Sequence, residues 1–551
     1  MRNDLLNLTS RKELLSRPSR TILTLIIAVL TAGLIAACGT TAPQADTSDT
    51  DIIMEFTPGP ATATATLQSR PLQGATVQGT ITVLLRSQPR VTSASFYLDG
   101  WSPNATPVHT TDAAPHLFEI DTTTLSDGSH TLTAVAEVSS DHPNIASSEN
   151  PRNARATFNV RNHPVSGPVP TPSNRYAVPP ATLYVATNGN DSNTGLTENE
   201  PLRTIGRAAN IAQAGDTIYI RGGIYPIQVA FTRSGTNNQP ITWTSYPGET
   251  AILDGSDQTP VDSNDRVWVT NVRHNVFANL EIRNSPREGI ILQNSHDNLF
   301  THLEVHSNHY SGILVIQSDR NRFQYLTTHN NYDQHNPDGR IGDDADGISI
   351  STGDANVLYR VIAYNNSDDG IDAWRSTNTI IDSSVSFDNG RGSHGDGNGF
   401  KAGGNADDNR TIVRNNLAFN NRSNGFDDNN GRNITYVNNT AHANGGYDYA
   451  FGDTATLRNN LSLNGSIGIW GSDHHYNNWN LGITDARVIS TDPQNPDFLA
   501  LQTDSPARNA GTTTHGTTST DLGAIPYGQT IASITTYSQP TQQTAYASTN
   551  H

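Results

Sequence analysis

The sequence predicts an all-β protein, a parallel β-solenoid preceded by a small β-sandwich. Three observations carry this prediction. A glycine followed by a large apolar residue recurs through the C-terminal half at Gly289, Gly312, Gly347, Gly370, Gly399 and Gly425, and SIGIWGS at Gly468 continues the set. Asparagines lead the same rows at Asn275, Asn298, Asn321, Asn356, Asn378 and Asn433. Upstream, alternating runs such as TVQGTITVLLRS and SHTLTAVAEV are separated by turn signals such as LDG and SDGSH. One short repeat cannot bury its own apolar face, but a stack of repeats can. A leucine-rich repeat is set aside, because leucine is not the recurring residue and no helical half-repeat is visible.

The elements follow in order. Residues 1–37 read as a leader: Arg2, Arg11, Lys12, Arg17 and Arg20 precede the apolar run TILTLIIAVLTAGLIAA, which ends at Cys38. LIAAC resembles a bacterial lipobox, which implies acylation of Cys38 and a protein lipid-anchored to the bacterial membrane, at the cell surface or secreted. Cys38 is the single cysteine, so no disulfide forms within the chain. Residues 38–72 are a Thr/Ala/Pro-rich tether. Residues 73–162 form the sandwich, which resembles a bacterial immunoglobulin-like module and has no exposed aromatic cluster to suggest more than a spacer. Residues 163–181 are a Pro-rich linker, 182–527 the solenoid and 528–551 a polar tail. The net charge of −18 argues against nucleic acid as a partner. A monomer is expected.

The repeat register assigns faces, because side chains alternate along a strand. With the glycine as zero, position +1 holds Ile290, Ile313, Ile348, Ile371, Phe400 and Phe426, an inward stack. Position +2 then points outward and holds Ile291, Leu314, Ser349, Asp372, Lys401 and Asp427. Position −1 holds Glu288, Ser311, Asp346, Asp369, Asn398 and Asn424. Coils stack about 4.8 Å apart, so Asp346, Asp368, Asp369 and Asp372 converge within two coils beside Lys401. Lys401 is one of only two lysines, the other being Lys12 in the leader. Carboxylates so crowded repel one another, and a bound cation relieves the repulsion. An oxygen-only donor set suits Ca²⁺ rather than zinc.

These residues match a known pattern. DADGISI, AYNNSDDGIDAW and GNGFKAGGN resemble the signature of polysaccharide lyase family 9, calcium-dependent pectate lyases on a right-handed parallel β-helix. The opening LYVATNGNDSNTGLTENEPLRTIGRAANIAQAGDTIYIRGGIY is similar to the capping region of those enzymes. The resemblance covers roughly residues 182–527 and implies Asp346, Asp368, Asp369 and Asp372 as Ca²⁺ ligands and Lys401 as catalytic base. It implies cleavage of an acidic plant-type polysaccharide, pectate or homogalacturonan, by β-elimination. Arg375 and Arg391 are candidates for holding further substrate carboxylates, since guanidinium matches carboxylate geometry. Ile371 stands where the family often has an aromatic, and Ala402 where relatives commonly have leucine.

Three alternatives remain open at this point. The polymer is rhamnogalacturonan instead. Or the site is that of a polygalacturonase-like hydrolase, for which Asp368, Asp369 and His394 offer paired acids and a histidine; this leaves Lys401 idle. Or the solenoid binds glycans without cleaving them.

Overall fold

The structure, a computed structural model, describes residues 52–58, 70–72, 76–77, 80–87, 91–102, 105–112, 116–125, 128–138, 152–160, 175–256, 266–334, 339–404, 408–452, 454–513 and 519–535. The leader with Cys38, most of the tether, most of the Pro-rich linker and residues 536–551 lie outside them.

The sandwich has a four-stranded and a five-stranded sheet. Its core includes Ile81, Val83, Phe96, Leu132, Ala134 and Phe158, supplied by both sheets. It starts earlier than residue 73. Ile52–Pro58, placed by sequence in the tether, pairs antiparallel with Thr80–Ser87 along its whole length, and Met54 is buried in the core. A two-residue alternation embedded in threonines and prolines did not separate this strand from its surroundings.

The solenoid is built from three parallel sheets of twelve, ten and ten strands. A regular coil gives one strand to each sheet. The third sheet carries the glycine register. Ile290, Ile313, Ile348, Ile371, Phe400 and Phe426 follow one another as neighbours from coil to coil, all buried. The outward column runs Ile291, Leu314, Ser349, Asp372, Lys401, Asp427. Gly468 departs from the predicted register. It pairs with Ala450, which follows Asp427, so it sits in the column of Lys401 rather than that of the glycines.

Buried side-chain amides hold the corners. Asn275, Asn298, Asn321 and Asn356 form a ladder in which the oxygen of each of the last three accepts from the backbone N–H of the asparagine before it. Asn378 and Asn433 do not extend it. The rungs after Asn356 are Thr379 and Thr411, and the two asparagines sit one residue earlier, with φ of 50° and 56°. Asparagine tolerates that left-handed conformation better than most residues. Sequence alone therefore merged two uses of asparagine into one row. A longer ladder, Asn308, Asn331, Asn366, Asn389, Asn421 and Asn444, runs through the coils that carry the acidic cluster.

Helix α1, Ile205–Ile211, is N-capped by the Thr204 hydroxyl and packs Ile205, Ala208 and Ala209 into the solenoid core. At the other end the described residues of 483–513 and 519–535 cover the outer aromatic column of the second sheet, burying Tyr364, Phe387 and Phe419 with Phe498, Leu501, Leu522 and Ile525. Ile531 and Ile534 belong to this cluster, so packing continues past the expected start of a polar tail at 528.

Candidate active site

Four strands of the third sheet frame the site: β1 (Ile348–Ile350), β2 (Ile371–Asp372), β3 (Phe400–Lys401) and β4 (Phe426–Asp427). Two repeats adjoining them are longer than their neighbours, and the extra residues form loops before β1 and before β3. The loops meet at Gly342 and Gly392, where a methyl group on either would overlap the other's backbone. The His394 N–H donates to the Ile341 carbonyl at 3.2 Å, tying the loops further.

Asp346 precedes β1, and Asp368 and Asp369 precede β2. All three are buried, and one carboxylate oxygen from each lies within 4.8 Å of the others. Backbone amides fix the carboxylates. Asp346 Oδ1 accepts from the Asp369 N–H at 3.1 Å, and Asp368 Oδ1 accepts from the Asp396 N–H. Asp369 Oδ1 accepts from both the N–H and the side-chain amide of Asn398, at 2.6 and 3.0 Å. Asp372 is not in this group of three. It lies on β2, directly beside Lys401 on β3.

Lys401 Nζ lies 3.0 Å from Asp369 Oδ2, 3.7 Å from Asp372 Oδ2 and 2.7 Å from Asp396 Oδ2. The amine is nearly buried, with 11% of its side chain exposed, while Asp396 is 56% exposed. Asp396 was not among the residues singled out by spacing. It lies in the loop before β3, out of phase with the repeat, and its only signal was its place five residues before the lysine. The Asp427 carboxylate accepts from the side-chain amide of Asn424 at 2.7 Å and the Asn429 N–H at 2.6 Å.

The charges are mutually dependent. Burial pushes the Lys401 amine down, but Asp369, Asp372, Asp396 and Asp368 outweigh it and hold the amine well above its ordinary value. Burial, with Asp369 and Asp346 alongside, pushes the Asp368 carboxyl well up. Burial likewise raises Asp369, to about 7, against the pull of Lys401. A buried group of carboxylates that resists ionisation is what a divalent cation with hard oxygen preferences stabilises. The donor set fits Ca²⁺: three carboxylates converge, and no histidine or thiol is among them.

Arg375 and Arg391 have local partners. The Arg375 guanidinium lies 5.3 Å from the ring centroid of Trp374, and Arg391 Nε donates to the Asp388 carbonyl at 3.2 Å. His394, the histidine of the hydrolase alternative, has Nδ1 3.0 Å from Ser393 Oγ. A second mixed cluster lies on the second sheet, where Glu304, His306 and His329 come together and the two imidazoles stack 4.7 Å apart. Sequence reading did not single it out.

Residues 183–464 match the family model described as Pel9A-like, right handed beta helix region, and residues 64–134 match that of a bacterial Ig domain. Pectate lyase PEL9 of Emericella nidulans is 31% identical over 329 residues, covering 52% of this chain and 79% of that protein. Pectate lyase L of Dickeya chrysanthemi is 31% identical over 326 residues, covering 54% of this chain and 75% of that protein. The crystal structure of pectate lyase Pel9A superposes with a TM-score of 0.57 at 28% identity, covering 63% of this chain and 96% of that one.

Proposed function

The chain belongs to the Pel9A-like right-handed β-helix family and is a polysaccharide lyase, and from that premise we propose that it cleaves unesterified 1,4-linked polygalacturonate by β-elimination, with Lys401 as base and Ca²⁺ as cofactor. One observation carries the reading: the Lys401 amine is set among carboxylates on the coil next to three convergent buried carboxylates.

Asp346, Asp368 and Asp369 would hold the cation, with Asp372 adjoining from β2. A cation held there would supply Lewis-acid chemistry toward the uronate carboxylate, making the neighbouring C5–H bond more acidic. The Lys401 amine takes the C5 proton. The C–H electron pair forms the C4–C5 double bond, the bond from C4 to the glycosidic oxygen breaks, that oxygen takes a proton from water, and the Lys401 ammonium returns its proton to solvent. Lys401 must be neutral to act. Its hold on the extra proton comes from the carboxylates around it. With Asp368 and Asp369 engaged as ligands their pull on the proton would weaken, leaving Asp396 and Asp372 to hold it against burial, which favours the neutral amine. Arginine would keep its proton and fail in this position. Arg375 and Arg391 flank the same strands and are suited to further uronate carboxylates. We assign acylation to Cys38, which puts the enzyme on the outside of the bacterial membrane, where polymeric substrate is met.

The test is the rise in ultraviolet absorbance of unsaturated uronate on polygalacturonate with Ca²⁺. Lys401→Ala and Lys401→Arg are expected to lose at least a hundredfold in rate, and chelation to abolish the rise reversibly. A rise that persists in Lys401→Ala rejects the base assignment. No rise on polygalacturonate, but one on rhamnogalacturonan, rejects the polymer.

A further inference from the structure

We propose that Tyr447 and Trp470 form a stacking platform for the uronate chain, a binding subsite in line with Lys401; this rests on the lyase reading above. From Lys401 the outward column of the third sheet continues through Asp427 and Ala450 to Gly468. Three coils span about 14 Å at the spacing of paired strands. Above Gly468 the two rings meet edge to face, 5.8 Å apart at 83°. They lie directly over the glycine. A methyl group built there would fall 2.8 Å from Trp470 Cη2 and 3.0 Å from Tyr447 Cδ1 and Cε1. The missing side chain at 468 is what allows the rings to sit on the column that carries the lysine.

Both rings remain open to solvent, Trp470 at 61% and Tyr447 at 39%. Neither belongs to the solenoid core, whose end is closed instead by Ile467, Ile469 and Trp479. The path between is low. Ala450 and Gly468 present almost nothing, and Asp427 is drawn down by the donors from Asn424 and Asn429. A polymer held with its reacting bond at Lys401 can lie along this floor and reach the rings. A pyranose ring offers a face of polarised C–H bonds, which suits the negative face of an indole or phenol. Two rings at a steep angle form a corner that grips a sugar from below and from one side. The platform needs no charge, so it adds grip on a polyanion without another cation.

The discriminating experiment compares the wild type with Trp470→Ala, Tyr447→Ala and Trp470→Phe on long polygalacturonate and on oligomers too short to reach from Lys401 to the rings. Trp470→Ala is expected to raise KM on the polymer by roughly tenfold, the upper range for one aromatic contact, with kcat changed less than twofold. Trp470→Phe should recover most of the loss, and the short oligomers should not distinguish the variants. Retardation of the protein in gels containing polygalacturonate with Ca²⁺ is read in parallel, because it needs no turnover. Retardation lost in Trp470→Ala supports the platform even if the protein cleaves a different polyuronate. Equal KM and equal retardation for wild type and Trp470→Ala overturn it. So does a change of particle size in solution with Trp470→Ala at unchanged KM, which would make the pair a protein contact.

Discussion

Asp396 reaches Lys401 from the solvent side, at 2.7 Å, and helps to hold the proton on the amine. Asp396→Asn removes that charge, so the amine loses its proton at lower pH and the rising limb of the pH–rate profile moves toward acid, measured at saturating Ca²⁺. Asp368 and Asp369 predict a second pH dependence. Their carboxyls are raised in the folded state, Asp369 to about 7. The stability this contributes is present below the ordinary carboxylate range and is lost as pH rises through the raised values, about 7 for Asp369. A cation on these carboxylates removes the loss, because it competes with protons for the same oxygens. The rise in melting temperature on adding Ca²⁺ should therefore be small near pH 5 and grow toward pH 7. A rise independent of pH would place the ion elsewhere. Asp346, Asp369, Asp372 and Lys401 could be brought together from sequence because strand pairing converts the repeat spacing into adjacency. Asp396 could not be assigned its contact in the same way, since a loop leaves the lattice that the repeat defines.

At the scale of the element, the glycine column shows why the repeat holds its register. A methyl group on Gly370 would overlap the Ser386 hydroxyl and fall 2.8 Å from the Gly399 carbonyl oxygen. Gly370→Ala is expected to push Asp369 and Asp372 apart and to lower both Ca²⁺ affinity and turnover at least tenfold, read by calorimetry and by the absorbance assay. The asparagine ladder makes a complementary prediction. Asn389 donates to Asn421 Oδ1 at 2.9 Å and to Ser386 Oγ at 3.0 Å, and accepts from the Asn366 N–H and side-chain amide at 3.1 and 3.0 Å. Asn389→Ala leaves the buried N–H and side-chain amide of Asn366 without this acceptor, at a cost of about 1–3 kcal/mol for each stranded group, measured by urea unfolding. The glycine column was readable over six coils because apolar residues follow each glycine. It was misplaced at Gly468, where the last coil keeps a glycine for the sake of the rings above it.

For the whole molecule, the C-terminal cover is as consequential as the coils. Ending the chain at Asn480 uncovers Leu417, Phe419 and Phe387 on the second sheet. Exposing each costs roughly 1.5–3 kcal/mol, so the truncated chain should bind a hydrophobic dye and aggregate well below the unfolding temperature of the full chain. That cover was not foreseen, because its residues follow no period and declare their role only through what they pack against. The sandwich was expected from its alternating strands; its first strand was not, since seven residues among threonines and prolines carry too little pattern. The ladder from Asn308 to Asn444 has a further consequence, in time rather than in energy. Each inner rung is held by an asparagine on both sides, and the two end rungs by one on a single side. Opening must therefore travel inward from the ends, one coil after another, as a zip does. Asn366 and Asn389 lie at the centre of that ladder, one on each side of Asp368, Asp369 and Asp372 in sequence. Their amide protons should exchange with solvent among the slowest in the chain, so that a warmed or stretched molecule sheds its terminal coils while the coils of the acidic cluster are still closed.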